Sequence, residues 1–253
     1  MNDYAFNRTE LLLGPAAMAA LARTQVCVIG LGGVGSYAAE ALARAGIGRF
    51  VLIDFDVVGE TNLNRQIIAL RETIGLPKVD VLRKRILSIN PEAEIVSHRV
   101  FLDESNREQL LPGSDFYLDA IDSLGPKVGL LEYAVRQGLQ IISVMGAGNR
   151  LDPAQVHLAP LHKSHACPLA RRVRKFLGRR GIKAAFPCVY SSEPPIKPNG
   201  DEDAPDELVI ERGRQRQIIG SVSYLPAIMG MTAASWIIRQ VAAMADHGSV
   251  HLQ

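Results

Sequence analysis

Cysteine is scarce in this chain of 253 residues. The three cysteines are Cys27, Cys167 and Cys188, and no Cys-x-x-Cys pair occurs. A structural zinc site built on paired cysteines is therefore excluded. Cys27 lies inside a run of apolar residues and is predicted to belong to the core. A thioester-forming role stays open for Cys167 and Cys188, although we favour neither as a covalent catalyst.

The sequence also lacks an export signal and a long apolar run. No basic segment followed by an apolar core stands near residue 1. The most apolar late stretch, 225–238, contains Pro226 and is shorter than the roughly 20 residues that span a bilayer. We therefore expect a cytoplasmic protein with no membrane partner.

Acidic residues are absent from one long interval. The net charge of +2 is too small to indicate nucleic acid by itself. Residues 153–192, however, contain no Asp or Glu and many Lys and Arg residues. Helical spacing places Arg171, Arg174 and Lys175 on one face, with Arg172 about a quarter-turn aside. We predict that these four residues bind RNA phosphates; a solvated helix face and an acidic carrier protein are the alternatives.

Glycines follow the first predicted strand. The apolar run 26–29 gives way to Gly30, Gly32, Gly33 and Gly35, and an amphipathic segment reaches Ala45. This order predicts a strand, a tight turn and a helix whose free amides bind phosphate. The glycines alone fit dinucleotide enzymes and nucleoside-triphosphate enzymes equally well.

Charged residues downstream decide between these two classes. Asp54 follows a second predicted strand, at the position of the acid that binds a ribose in dinucleotide folds. A triphosphate that loses pyrophosphate needs cationic donors and a carboxylate for a metal ion. Arg65 and Lys78 supply the cations, and Asp56 and Asp122 are the candidate metal ligands. The sequence therefore predicts a site for ATP and Mg²⁺.

The apolar segments alternate between strand and helix periods. This rhythm predicts an α/β fold, a Rossmann-like and mostly parallel sheet with helices on both faces. The predicted elements are a helix over 78–89, strands over 94–100 and 116–121, a helix over 125–137 and a strand over 139–145. The rhythm breaks after residue 148. We predict one domain over 1–253, with an ATP-binding half (1–148) and an elaborated half (149–253) for substrate binding and dimerisation.

The motifs of the first half resemble those of the ubiquitin-activating-enzyme-like (ThiF/MoeB-like) superfamily. They are the glycine turn 30–35, Asp54-Phe55-Asp56, Asn62-Leu63-Asn64-Arg65-Gln66, Lys78 and Asp119-Ala120-Ile121-Asp122. The resemblance implies that Asp54 binds the ribose, that Asn62, Arg65 and Lys78 bind the phosphates, and that Gln66 lines the pocket. It also implies Asp122 as the magnesium ligand, and Arg8 as a residue lent to the partner's site in a homodimer.

The second half resembles the tRNA threonylcarbamoyladenosine dehydratases. The matching runs are 146–153, 167–170, 189–194 and 220–226. The resemblance implies ATP-dependent adenylation of a carboxylate on tRNA, followed by ring closure. A carrier-protein adenylyltransferase of the same superfamily is the alternative enzyme, and a non-enzymatic nucleotide-binding or NAD-dependent protein is the third hypothesis. A monovalent cation and a sulfur-transfer protein are further candidate ligand and partner.

Overall fold

The computed structural model describes residues 4–111, 113–197, 207–208, 215–216 and 219–249. The main sheet contains β1 (Gln25–Ile29), β2 (Arg49–Ile53), β3 (Glu94–His98), β4 (Phe116–Asp119), β5 (Ile141–Val144), β6 (Val156–Pro160) and β7 (Pro187–Ser191). The helices are α1 (Asn7–Arg23), α2 (Gly35–Arg44), α3 (Lys78–Ile89), α4 (Arg107–Leu110), α5 (Leu124–Arg136), α6 (Pro168–Arg179) and α7 (Tyr224–Ser249). Two short strands, β8 (Glu207–Leu208) and β9 (Gln215–Arg216), pair with each other.

The strand order across the main sheet is β3-β2-β1-β4-β5-β7-β6. Neighbouring strands are parallel from β3 to β7, and only the edge strand β6 is antiparallel to its neighbour. The order reverses between β1 and β4, which is the place where doubly wound sheets bind nucleotides. The prediction of a Rossmann-like, mostly parallel sheet is confirmed.

Helices cover both faces of the sheet. The first face packs against α1, α2, α3 and α7 through buried residues that include Leu21, Leu42, Ile86 and Ile237. The second face packs against α5 and α6 through residues that include Leu131 and Val173. Each such aliphatic side chain contributes roughly 1.5–3 kcal/mol when it is fully buried. Two apolar layers therefore hold the strand ends in fixed positions.

The predicted helix over 78–89 matches α3, and its stripe Val79, Leu82 and Ile86 is buried. The predicted strands over 94–100, 116–121 and 139–145 are each longer than observed. The strand ending at Asp119 shows why, because the next residues leave the ladder to form a turn in which the Ile121 amide donates to the Asp119 carboxylate. Apolar residues in such turns look like strand residues in the sequence, but they do not pair with a neighbouring strand. The predicted strands were therefore too long.

The two halves of the chain share one core. Strand β7 pairs with β5, and α7 packs against α1 and α2. The functional division at residue 148 stays a prediction, since both halves contribute to the same sheet and to the same apolar layer.

Helix α7 is longer than the apolar stretch that the sequence indicated. Its segment Tyr224–Ala245 has 22 residues with a mean hydropathy of 1.2, long and apolar enough to cross a membrane by length and composition. The statement that this region is too short is therefore wrong. In the structure, however, Leu225, Met229 and Ile237 are fully buried against the sheet. These contacts make α7 a core helix.

Candidate functional site

The carboxyl ends of β1, β2 and β4 meet at one edge of the sheet. The register pairs Ile29 with Ile53 and with Asp119. The residues that follow, Gly30 and Asp54 among them, are therefore neighbours. This edge at the reversal of strand order is the candidate nucleotide site.

Two glycines are required by the turn after β1. Gly30 has a φ of +87°, and a Cβ there would lie 2.9 Å from the Ala120 carbonyl oxygen. A Cβ on Gly35 would lie 1.8 Å from the Gly30 carbonyl oxygen. Gly32 is different, since its Cβ would meet only the Gln66 amide nitrogen at 3.8 Å. The turn is thus closed by Gly30 and Gly35, and Gly32 leaves room at the helix start.

Asp54 is buried beneath this turn. Its carboxylate accepts hydrogen bonds from the Leu31 amide at 2.6 Å and from the Asp56 amide at 2.8 Å. Burial raises the pKa of Asp54, and the nearby Lys78 ammonium and the two amides oppose that rise. The carboxylate is held at the end of β2, where its remaining lone pairs are suited to ribose hydroxyls.

Lys78 lies at the start of α3 and forms an ion pair with Asp56. The Nζ–Oδ2 distance is 2.8 Å, and the side chains are 6% and 44% exposed, respectively. Asp56 therefore holds the ammonium group close to Asp54 and to the glycine turn. This role as the partner of Lys78 leaves Asp122 as the stronger of the two candidate metal ligands.

The loop after β2 carries three further predicted site residues, Asn62, Arg65 and Gln66. The Arg65 guanidinium donates to the Thr61 carbonyl and to Asn64 Oδ1, both at 2.9 Å. Asn62 Oδ1 accepts from the Gly59 amide at 3.0 Å, which fixes the loop. Arg65 also lies against Gly33, whose Cβ would come within 3.4 Å of its side chain. Arg65 is thus placed beside the glycine turn.

Gln66 is the residue that best indicates a missing ligand. It is 6% exposed and lies beside Gly32. Its Oε1 is buried and has no hydrogen-bond partner among the described residues. A buried acceptor without a partner costs about 1–3 kcal/mol. A ligand donor or a cation at this position would satisfy it, so the site fits a nucleotide with its metal ion.

Asp122 follows β4 and is exposed on the same edge. The Ser123 hydroxyl donates to its Oδ1 at 3.1 Å. Magnesium is commonly held by one or two carboxylates together with substrate phosphates. No cluster of three or more potential metal-ligating side chains occurs within the described residues.

A buried ion pair under the Asp122 turn was not identified from the sequence. Lys127 Nζ lies 2.7 Å from the Asp119 carboxylate, and both side chains are 0% exposed. The ammonium also donates to the Ile121 carbonyl at 2.8 Å, and the Ser143 hydroxyl donates to Asp119 at 2.6 Å. The pair therefore fixes the turn that carries Asp122. Its signal in the sequence is a lysine beside the apolar stripe of a predicted helix.

Arg8 lies away from the nucleotide site of its own chain. It is exposed near the start of α1, two residues after Phe6. Phe6 and Met18 approach Gly46, just before β2 begins, and the three residues line a cavity of about 330 Å³. This is the amino edge of the sheet, opposite to the glycine turn. The predicted role of Arg8 at the site of a partner subunit stays a prediction.

Three of the four predicted RNA-binding residues of α6 are exposed, and the fourth, Arg174, is not. Arg171, Arg172 and Lys175 are exposed as expected. Arg174 is half-buried, and its Nη1 donates to the Ser164 carbonyl at 2.8 Å. Because its guanidinium is bound to the loop before α6, we expect Arg174 to be a poorer phosphate contact than Arg171 and Lys175, and its predicted role in RNA binding stays a prediction.

Arg179 takes the place of Arg174 on the exposed side. The helical period puts Arg171, Lys175, Arg179 and Arg172 within about 100° of one another. All four are exposed. We call these four residues the basic face.

All three cysteines are buried and unpaired by disulfides. Burial raises the pKa of the Cys188 thiol to about 12 and that of Cys27 well above its usual range. A thiol that stays protonated at neutral pH is a poor nucleophile. Cys167 is 3% exposed, so a thioester role is disfavoured for it by access.

The loops after β5 and β7 are joined by hydrogen bonds of Arg150 and Glu193. Arg150 donates to the Gly146 carbonyl at 2.8 Å and to the Glu193 carbonyl at 3.0 Å. The Glu193 carboxylate in turn accepts from the Leu151 and Asp152 amides at 2.9 and 2.8 Å. These loops lie at the carboxyl edge of the sheet, next to the end of β4.

Comparison with known proteins agrees with this geometry. The ThiF family model matches residues 6–251. This chain belongs to the ThiF family. A Bacillus subtilis protein named tRNA threonylcarbamoyladenosine dehydratase is 38% identical over 239 residues, which cover 93% of this chain and 93% of that protein. An Escherichia coli protein of the same name is 36% identical over 256 residues, 95% of this chain and 94% of that protein.

A solved structure extends the similarity to three dimensions. The crystal structure of E. coli tRNA N6-threonylcarbamoyladenosine dehydratase, TcdA, in complex with ATP has a TM-score of 0.84 at 35% identity. It covers 96% of this chain and 95% of that chain. The fold around the nucleotide site is therefore common to both ThiF-family chains.

Proposed function

We propose that this protein catalyses the ATP-dependent dehydration of threonylcarbamoyladenosine in tRNA, in which the threonylcarbamoyl group closes to a ring. The observation that carries the proposal is the triphosphate-type site at the carboxyl edge, with Asp54, Lys78 and the unsatisfied Gln66 beside the glycine turn. Full-length similarity to two bacterial proteins of that name supports it.

In the first step a carboxylate oxygen of the substrate attacks the α-phosphorus of ATP, and pyrophosphate leaves. Asp54 orients the ribose, while Lys78 and Arg65 bind the phosphate oxygens whose negative charge increases during the transfer. Magnesium held by Asp122 would neutralise the leaving pyrophosphate. The glycine turn supplies backbone amides to the same phosphates.

In the second step a nitrogen of the threonylcarbamoyl group attacks the acyl carbon, loses its proton, and AMP leaves. The carboxylate oxygen departs with AMP, so the nucleoside loses one water overall. The attack is intramolecular, so no covalent enzyme intermediate is needed. The buried state of Cys188 is consistent with this route.

Replacing Lys78 with methionine is expected to weaken ATP binding by about 1.5–3 kcal/mol, the range for hydrogen bonds to charged groups, or roughly 10- to 150-fold in affinity. Methionine keeps the buried volume of this side chain, which is 6% exposed. Calorimetric titration with ATP and Mg²⁺ measures the effect. Lys84→Met, an exposed site on the same helix, is the control and should bind as the unmodified protein does. If the two variants bound ATP with equal affinity, Lys78 would not be an ATP-binding residue.

The basic face is the proposed contact with tRNA phosphates. Reversing Arg171 and Lys175 to Glu is expected to abolish tRNA dehydration and leave ATP binding unchanged, since α6 lies away from the glycine turn. Each lost phosphate contact should lower the log–log salt slope of tRNA binding by about 0.7–0.9. The matched control reverses Arg83 and Lys84, two exposed residues of α3.

The assay supplies purified modified tRNA as the only acceptor and searches by mass for a nucleoside lighter by one water. A sulfur-carrier protein replaces the tRNA in a parallel reaction. If only the carrier becomes adenylated, the alternative adenylyltransferase function replaces the proposed one. Tight NAD binding without ATP binding would favour the third hypothesis.

A homodimer is part of the proposal, because Arg8 lies opposite to its own nucleotide site. Mixing an Arg8→Ala chain with an Asp122→Asn chain should restore one working site in each mixed two-fold dimer, about a quarter of the normal activity in an equal mixture. Pyrophosphate exchange in the mixture measures it after subunits have been allowed to exchange. An absence of recovery in demonstrated mixed dimers would contradict a role for Arg8 in the partner.

A cytoplasmic location fits a tRNA substrate and is proposed with it. The monovalent cation and the sulfur-transfer partner stay predictions.

A further inference from the structure

Two exposed histidines lie together outside the nucleotide site. The ring centroids of His157 and His165 are 6.2 Å apart, with an angle of 35° between the rings. The buried ring of Tyr190 lies 5.4 Å from His157 and 5.5 Å from His165. We call the His157 and His165 rings, supported by Tyr190, the histidine platform.

The platform lies on the same edge of the sheet as the nucleotide site. His157 is opposite Tyr190 near the end of β7, which is parallel to β5. Three strand spacings, β4 to β5 to β7 to β6, put it about 14 Å from β4. His165 comes three residues before α6, so the platform adjoins the helix that carries the basic face. The loops after β5 and β7, which Arg150 and Glu193 join, lie between the histidine platform and the glycine turn.

A chain of hydrogen bonds orients the ring of His157. Gln155 donates its amide to Asp152 at 3.1 Å, so its oxygen is the acceptor for the Ser192 hydroxyl at 3.1 Å. Ser192 Oγ must then accept from His157 Nε2, which is 2.8 Å away. Nε2 therefore donates in this bond, which fixes the orientation of the exposed ring.

The second ring is also held by a hydrogen bond. Burial raises the pKa of Tyr190, and its neutral phenol can donate or accept a hydrogen bond. The Tyr190 hydroxyl and His165 Nδ1 are hydrogen-bonded at 3.2 Å. The platform thus offers two exposed ring faces, together with imidazole nitrogens that can hydrogen-bond to the edge of a base.

These properties are suited to a nucleobase more than to a metal ion. Unpaired RNA bases stack on aromatic and imidazole rings and present donors and acceptors along their edges. A zinc ion would need further ligands, and no group of three or more potential metal-ligating side chains occurs within residues 4–111, 113–197 and 219–245. The adjoining basic face is complementary to the phosphates of the same strand.

We propose that the histidine platform stacks against an unpaired nucleotide of the substrate RNA, one that neighbours the nucleotide undergoing dehydration. The inference rests on the proposed function and assigns a place to the RNA on this chain. Phosphates on the basic face and a base on the platform would together hold the reacting group toward the glycine turn.

The test compares tRNA binding, without ATP, by fluorescence anisotropy of labelled substrate tRNA. His157→Ala and His165→Ala are each expected to weaken binding about 10-fold or more, as loss of base stacking does. His157→Phe and His165→Phe keep a ring face and should recover most of the affinity. The control is His162→Ala, because His162 is exposed on the same segment but hydrogen-bonds to the Ala184 carbonyl at 3.2 Å, away from the platform.

ATP binding by each variant serves as the check on folding, and it should be unchanged. If the alanine variants bind tRNA as His162→Ala does, while the unmodified protein binds tRNA and forms the lighter nucleoside, the platform is not a base-binding surface and the proposed function survives. If the unmodified protein binds no tRNA, both proposals fail. Loss of affinity in the alanine variants that phenylalanine does not restore would overturn the stacking role.

Discussion

Replacing Lys127 with methionine is expected to destabilise the folded protein by about 3–5 kcal/mol, because it leaves the buried Asp119 charge without its partner. Both side chains are 0% exposed and 2.7 Å apart, so water cannot compensate for the loss. Urea unfolding followed by circular dichroism measures the change in the unfolding free energy. Lys84→Met, on an exposed position of α3, should lie within about 0.5 kcal/mol of the unmodified protein.

A double variant separates the charge from the loss of contacts. Asp119→Asn combined with Lys127→Met removes both charges and should recover part of the lost stability. A single Lys127→Met variant as stable as Lys84→Met would mean that the pair does not hold the Asp122 turn in solution.

Replacing Gly35 with alanine is expected to disrupt the glycine turn and to abolish measurable ATP binding. The added Cβ would lie 1.8 Å from the Gly30 carbonyl oxygen, a backbone atom that cannot move without moving β1 or α2. Overpacking of this kind costs about 1–3 kcal/mol and sometimes more. Thermal unfolding without ligand and ATP titration measure the two effects.

Gly32→Ala is the matched control for Gly35→Ala, since its Cβ would meet only the Gln66 side chain at 3.8 Å. This variant should unfold at the temperature of the unmodified protein. If the Gly35 and Gly32 variants unfold at the same temperature and bind ATP with the same affinity, the close approach of the turn to α2 does not affect stability or ATP binding.

The sequence alone determined the parts of the site that depend on local order along the chain. The glycine turn is preceded by four apolar residues and followed by an amphipathic segment, an order that is typical of a phosphate-binding turn between a strand and a helix. Asp54 directly follows a strand, and Lys78 begins a helix whose apolar stripe was visible. The alternation of strand and helix periods was enough for the α/β class, which the structure confirmed.

Only the tertiary structure decided the contacts between side chains that belong to different helices, strands and loops. Periodicity predicts which side chains share a face of one element, but not which element packs on that face. The inward turn of Arg174 depends on the loop before α6, and the pairing of Lys127 with Asp119 depends on how α5 returns to β4. His157 stands opposite Tyr190 because β6 joins the sheet antiparallel to β7, and His165 contacts the same ring. Each of these contacts depends on how one element packs against the next, and local sequence patterns do not encode that packing.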